Sequence, residues 1–162
     1  MGSVLAPAAS AAQPERLSLK GQHFSFEFPS GSVCPFGFSL DFYRTEGSFF
    51  AYSDGSTRMA YTYWIRFSNI DSGNTRILHE AGSITFSSLS STVVAVVTRG
   101  QELSLFAPGD LGAGQPGAAL FITGSSREVD EYPGSAPNLF GFTTLSFNIL
   151  SGSAENLCLT MA

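Results

Sequence analysis

Only His23 and His79 offer an imidazole. His79 adjoins Glu80 in a run that reads as a strand, where neighbouring side chains point to opposite faces, so the two do not converge on one substrate atom. His23 reads as a strand-end residue and His79 as a solvent-facing one. Asp41 and many serines allow a Ser-His-Asp set on paper, but no spacing selects one. The G-x-S-x-G, H-E-x-x-H and Walker patterns are absent. Glu27 and Asp41 are a carboxylate pair that neighbouring strands could bring opposite each other, as glycoside hydrolysis requires. Both lie on faces opposite rows of Phe, and that places them in water. Asp71-Ser72-Gly73-Asn74 and Asp130-Glu131 supply oxygen ligands, yet the further oxygens and terminal bidentate Glu of a calcium loop are missing, so turn chemistry accounts for them. The sequence therefore predicts no catalytic residue, no metal ligand and no cofactor.

The side chains with binding chemistry are Trp64, Arg66 and Tyr132. In Tyr61-Thr-Tyr-Trp-Ile-Arg-Phe-Ser68, Tyr61, Tyr63, Ile65 and Phe67 fall on one side and Thr62, Trp64, Arg66 and Ser68 on the other. This period of two marks a half-buried strand. The only tryptophan thus lies among polar neighbours, where its indole can stack on the apolar face of a sugar while Arg66 binds hydroxyls. Alternatively another layer covers this face and Arg66 lies on the indole ring as a cation–π pair. Strands buried on both faces are common in sandwiches and barrels, which favours the second arrangement. Tyr132 stands beside an acidic patch of Glu128, Asp130 and Glu131 in a stretch, Gly124 to Pro137, that reads as a loop.

The remaining elements follow from alternation and punctuation. Residues 12–22 form an extended lead-in containing Pro14. Phe24, Phe26 and Phe28 alternate with Ser25 and Glu27, so three rings point inward. Phe36, Phe38, Leu40 and Phe42 repeat the pattern. Thr45-Glu-Gly47 turns the chain, Ser48 to Tyr52 is a short strand, and Asp54-Gly55 is a primed hairpin signal. Beyond the central strand come runs at Arg76–Glu80, Ser83–Ser87, Thr92–Thr98 and Glu102–Phe106, punctuated by Gly82 and Arg99-Gly100-Gln101. Ala107 to Gly117 holds four glycines and two prolines and reads as a long surface loop. Strands at Ala118–Thr123, Leu139–Phe142, Leu145–Leu150 and Leu157–Met161 complete the set. The prediction is an all-β antiparallel domain over residues 23–162, a sandwich or closed barrel of about nine to eleven short strands.

Composition supports an ordered core and limits the partners. The chain is 162 residues with fifteen Phe, 43% apolar but only 13% charged, against roughly 25% charged in an average soluble protein. Lys20 is the only lysine, seven arginines are scattered singly, and the formal charge is −5. No basic stripe exists to neutralise phosphates, so nucleic acid is excluded as a partner. No stretch reaches the ~18 consecutive apolar residues of a transmembrane segment. Val4 to Ala12 resembles the end of a signal peptide, with Ala9-Ser10-Ala11 as a cleavage site over residues 1–11; a flexible or engineered tail is the alternative. Cys34 and Cys158 are the only cysteines. They are expected to pair, which suits an oxidising compartment.

The layout resembles a group of small secreted actinobacterial β-domain proteins of unknown function. The resemblance rests on Cys34-Pro35 after an aromatic strand, Phe67-Ser-Asn69 followed by Ser72-Gly73, Ala81-Gly82, the Val96–Gly100 strand end and the late Cys158. It implies a secreted β domain and lends no catalytic residue. The expected function is a secreted, non-catalytic binding module of the exterior or cell envelope, holding a glycan or small apolar ligand. A structural protein that self-associates is the alternative, and a hydrolase a distant third.

Overall fold

The computed structural model describes residues 15–162 apart from 19, 54 and 133–141. The predicted leader, Asp54 of the hairpin signal and the run from 133 to 141 lie outside the described residues. Among the described residues the chain forms β1 (Glu15–Ser18), β2 (Phe24–Phe28), β3 (Phe38–Ala51), β4 (Thr57–Asn69), β5 (Thr75–Ser88), β6 (Val93–Phe106), β7 (Ala118–Glu131), β8 (Thr143–Asn156) and a helical turn, α1 (Leu157–Thr160). All eight strands belong to one antiparallel sheet in the order β1-β3-β4-β5-β6-β7-β8, with β2 also pairing to β3. The all-β expectation holds. A closed barrel does not, because the strand path never returns to itself.

Where nine to eleven short strands are predicted, six of the eight observed run to 13 or 14 residues. The residues read as stops lie inside ladders. The predicted turn at Thr45-Glu-Gly47 is instead a bulge at Arg44-Thr45 within β3, where the register to β4 slips between Tyr43 and Glu46. Arg44 takes a positive φ there, and an extra residue of this kind bends a strand without ending it. Gly82, Gly100, Gly124 and Gly152 form a row across four strands, Gly82 opposite Gly100, Gly100 opposite Gly124 and Gly124 opposite Gly152. At Gly152 (φ 93°) any Cβ would collide with the Thr123 carbonyl oxygen and lie 2.8 Å from the Gly124 Cα. Only hydrogen fits where the backbones approach so closely.

This row divides the sheet. β5 and β6 pair only from Ser88↔Val94 to Gly82↔Gly100. Beyond the glycines, Thr75–Ala81 and Gln101–Phe106 are not paired to each other. The parted halves enclose the main core, in which Phe38, Leu40, Ile65, Phe67 and Leu78 from β3–β5 meet Ala119, Leu103, Leu105 and Phe121 from β6 and β7. The Phe28, Phe38 and Phe67 rings stack in series at 4.7 and 4.8 Å. Each fully buried Phe contributes roughly 1.5–3 kcal/mol. The three inward rings predicted for β2 reduce to a partial contribution, since β2 is an edge strand and Phe24 remains 42% exposed.

Two further predictions are corrected at the C-terminus. Gly124–Glu131 is not loop but the second half of β7, and Leu157–Thr160 is not strand but α1. The Asn156 side chain caps α1 by accepting from the Cys158 N–H at 3.0 Å, a short-range bond that favours a helical start over continued strand. Leu157 and Cys158 then face the core. Cys158 is disulfide-bonded to Cys34, joining the turn before β3 to the end of the chain across 124 residues of sequence. Asn69, buried at the end of β4, donates to the Met161 carbonyl at 2.8 Å. The lead-in is in part a strand, for Glu15–Ser18 pairs with Ser48–Ala51.

Candidate functional site

Along the glycine row the same sheet borders a half-open cavity of about 460 Å³, whose lining meets the main core at Leu103 and Leu105. That is within the size of pockets that hold small ligands. Its walls are carbon: Phe49 from β3, Ile84 and Phe86 from β5, Val96, Leu103 and Leu105 from β6, and Tyr132 and Phe142 beyond β7. A polar strip of Thr98, Glu102, Ser126, Glu128 and Asp130 runs along β6 and β7. Period-two alternation brings Ser126, Glu128 and Asp130 to one face of β7, while Arg127 and Val129 point away.

Hydrogen bonds order most of this strip. Ser126 donates to Glu102, and the Thr144 hydroxyl donates to Glu128 Oε1 at 2.8 Å. Asp130 is only 2% exposed, and its Oδ1 has no hydrogen-bond partner among the described residues. Burial raises the Glu128 carboxyl to about 8, helped by the neighbouring Asp130 charge. Burial likewise raises Asp130 to about 6, with Glu128 acting as a donor that moderates the rise. The two carboxyls thus share a proton at neutral pH. Glu102 is raised for the same reason, burial, against the hydroxyls that donate to it.

A fourth acid lies behind the strip. Glu80 on β5 is 1% exposed, and burial lifts it to about 8 although the Tyr63 hydroxyl and the Leu103 N–H donate to it. Its own effect is to push Tyr63 upward, after burial. Sequence reasoning does not single out Glu80 or Glu102. A signal for Glu80 is present, since it shares its strand face with Leu78, two residues before it and buried in the core.

The three predicted binding residues divide between two places. Tyr132 is 7% exposed and lines the cavity. Trp64 and Arg66 alternate to the face opposite Thr57, Tyr61 and Tyr63, away from it. There the indole lies 4.7 Å from the His79 ring. Arg66 pairs with Asp41 at 3.3 Å and sits 5.7 Å over the Tyr43 ring, not over Trp64. Asp41 is also bonded to His23, so that carboxylate is engaged by donors from two side chains and is not aimed at Glu27. The Asp71 turn is closed internally. The Asn69 side chain accepts from the Asp71 and Ser72 N–H groups, and Asp71 accepts from the Gly37 N–H at 3.2 Å. Among the described residues no group of three or more His, Cys, Asp or Glu side chains is placed to hold a metal ion, and no helix is long and apolar enough to cross a membrane.

Comparison with known proteins returns no matching family model, no matching curated protein and no matching solved structure.

Proposed function

We propose that the protein is a secreted, non-catalytic binding module whose cavity, lined from β3 to β7, takes one small ligand with an apolar body. The observation that carries this reading is the conjunction at one place of aromatic and aliphatic walls, a volume of about 460 Å³ and a buried carboxylate oxygen that no group among the described residues satisfies. Leaving such an oxygen without a hydrogen bond in the folded state costs free energy. A ligand donor would recover it. The Cys34–Cys158 disulfide suits an extracellular or envelope setting, as does the resemblance to secreted actinobacterial β domains.

The test is calorimetric titration of the whole chain with 2-phenylethanol, a neutral probe with an aromatic body and one hydroxyl. Saturable one-to-one binding is expected, and Val96→Trp, which puts an indole into the cavity, should abolish it while the β-type circular dichroism persists. Absence of heat with 2-phenylethanol, its amine analogue and soluble oligosaccharides alike would remove the cavity from consideration.

A second reading, a structural protein that self-associates, is favoured by β8. This strand is a long edge with Leu145, Ile149 and Leu150 all exposed, and it carries a single charge, Glu155. Open apolar edges of this length template pairing with another chain.

A further inference from the structure

We infer that the cavity selects a cationic ligand, a primary amine on an apolar body, with the ammonium seated between Asp130, Glu128 and Glu102. The inference rests on the cavity being a ligand site and adds the charge of the head group.

Among the described residues the lining includes three carboxylates and no Lys, Arg or His. An all-acid lining would be mutually repulsive if every member were ionised, and the fold has answered this only in part. Glu102 has Ser126 and Glu128 has Thr144 as donors, and Glu128 and Thr144 also act on Asp130, yet Asp130 Oδ1 keeps no hydrogen-bond partner among the described residues although the residue is almost wholly buried. A hydroxyl could supply one hydrogen bond there. An ammonium supplies three donors and a full positive charge, and charge-assisted bonds to a carboxylate are about twice as strong as neutral ones. Arg127 is the nearest basic residue on β7 in sequence, and alternation turns it to the other face. The raised pKa values of Glu128 and Asp130 agree with this geometry, since they record carboxyl groups held together out of water without a counter-ion. The groups facing the head are Glu102, Glu128, Asp130 and the Tyr132 hydroxyl; Glu80 lies behind Glu102, and Asp110 acts on Asp130 from the loop after β6.

Anions are excluded by the same arrangement. A ligand carboxylate would meet the negative charge that Glu128 and Asp130 keep between them, with no cation in the lining to balance it, and burying an unpaired charge is costly. The aromatic walls, Phe86 and Phe142 with Tyr132, accept an apolar body and can also face a cation.

The experiment is titration of the intact, disulfide-bonded chain at pH 7.5 with the matched set 2-phenylethylamine, 2-phenylethanol and phenylacetate. The amine is expected to bind at least about tenfold more tightly than the alcohol, and phenylacetate not at all. Asp130→Asn, which keeps an acceptor oxygen and removes the charge, should erase the preference for the amine over the alcohol. Glu128→Gln, which keeps a donor where the neutral acid has one, should retain most of the preference, and it guards against misfolding of the Asp130→Asn variant being read as lost binding. Equal affinity for amine and alcohol in the wild type would overturn the cation inference while leaving the cavity a ligand site. Tighter binding of phenylacetate would overturn it as well. No binding of any of the three would remove both.

Discussion

The two sides of the glycine row are built from the same strands and end in opposite chemistry. On the Cys34–Cys158 side the space between the parted halves is filled with carbon, from Phe38 and Phe67 to Leu157, each 0% exposed. On the other side the sheet stays paired through β5 and β6, yet its interior contains Glu128 and Asp130 beside a cavity that Glu102 borders from across the row. One interior is filled by the chain itself, although Glu80 Oε1 at its border also lacks a hydrogen-bond partner among the described residues. The other is left short of a partner, and the difference marks where stability is made and where it is given up for a site.

The largest expected effect tests that contrast directly. Phe67→Ala, in the filled core, should cost about 3–5 kcal/mol in denaturant unfolding. Phe86→Ala, which borders space already empty, should cost half as much or less. Equal losses would show that the two interiors are packed alike. Next in size, Cys34→Ser and Cys158→Ser should each lower stability by about 2–4 kcal/mol, and the double substitution should cost little more than either single one, because bonded partners are non-additive.

The smallest effect concerns pH and comes from the buried acids. Glu80 and Glu128 are raised to about 8 and Asp130 to about 6. In the unfolded chain these groups release their protons near pH 4, so above that point the native state binds more protons than the unfolded one and stability falls as pH rises. Thermal unfolding should therefore show a higher Tm at pH 5 than at pH 8. Glu80→Gln should flatten the slope and be the more stable form at pH 8 by about 1 kcal/mol or more. A Tm that rises between pH 5 and 8 would contradict the burial of these carboxylates.

The filled side is legible in the sequence and the acid side is not, for physical reasons. Tyr61, Tyr63, Ile65 and Phe67 alternate with polar residues, and period two with one apolar face has a single meaning. Cys34 and Cys158 likewise have only each other. The glycines mislead because Gly marks a turn and a close backbone approach equally well. Gly100 and Gly124 read as ends of strands that in fact continue through them. In Ser125-Ser-Arg-Glu-Val-Asp130 both faces are nearly polar, and a carboxylate buried against a cavity has the same letter as one in water. The sequence places Tyr132 beside the acids, but it does not disclose the enclosure around them. Trp64 and Arg66 do share a face, and the partners they take there, His79 and Tyr43, come from neighbouring strands whose register no local pattern discloses.

The disulfide also constrains how the chain can go wrong while it forms. From β3 onward each strand pairs with its successor in sequence, so hairpins can assemble from any turn, whereas Cys34 and Cys158 meet only after the first and last parts of the sheet have come together. With two cysteines in the chain there is no incorrect intramolecular bridge to make and nothing for an isomerase to reshuffle within one molecule. The only available error is a bridge between two molecules. Yield on oxidative refolding should accordingly be governed by dilution, with loss at high concentration appearing as reducible dimers and larger chains.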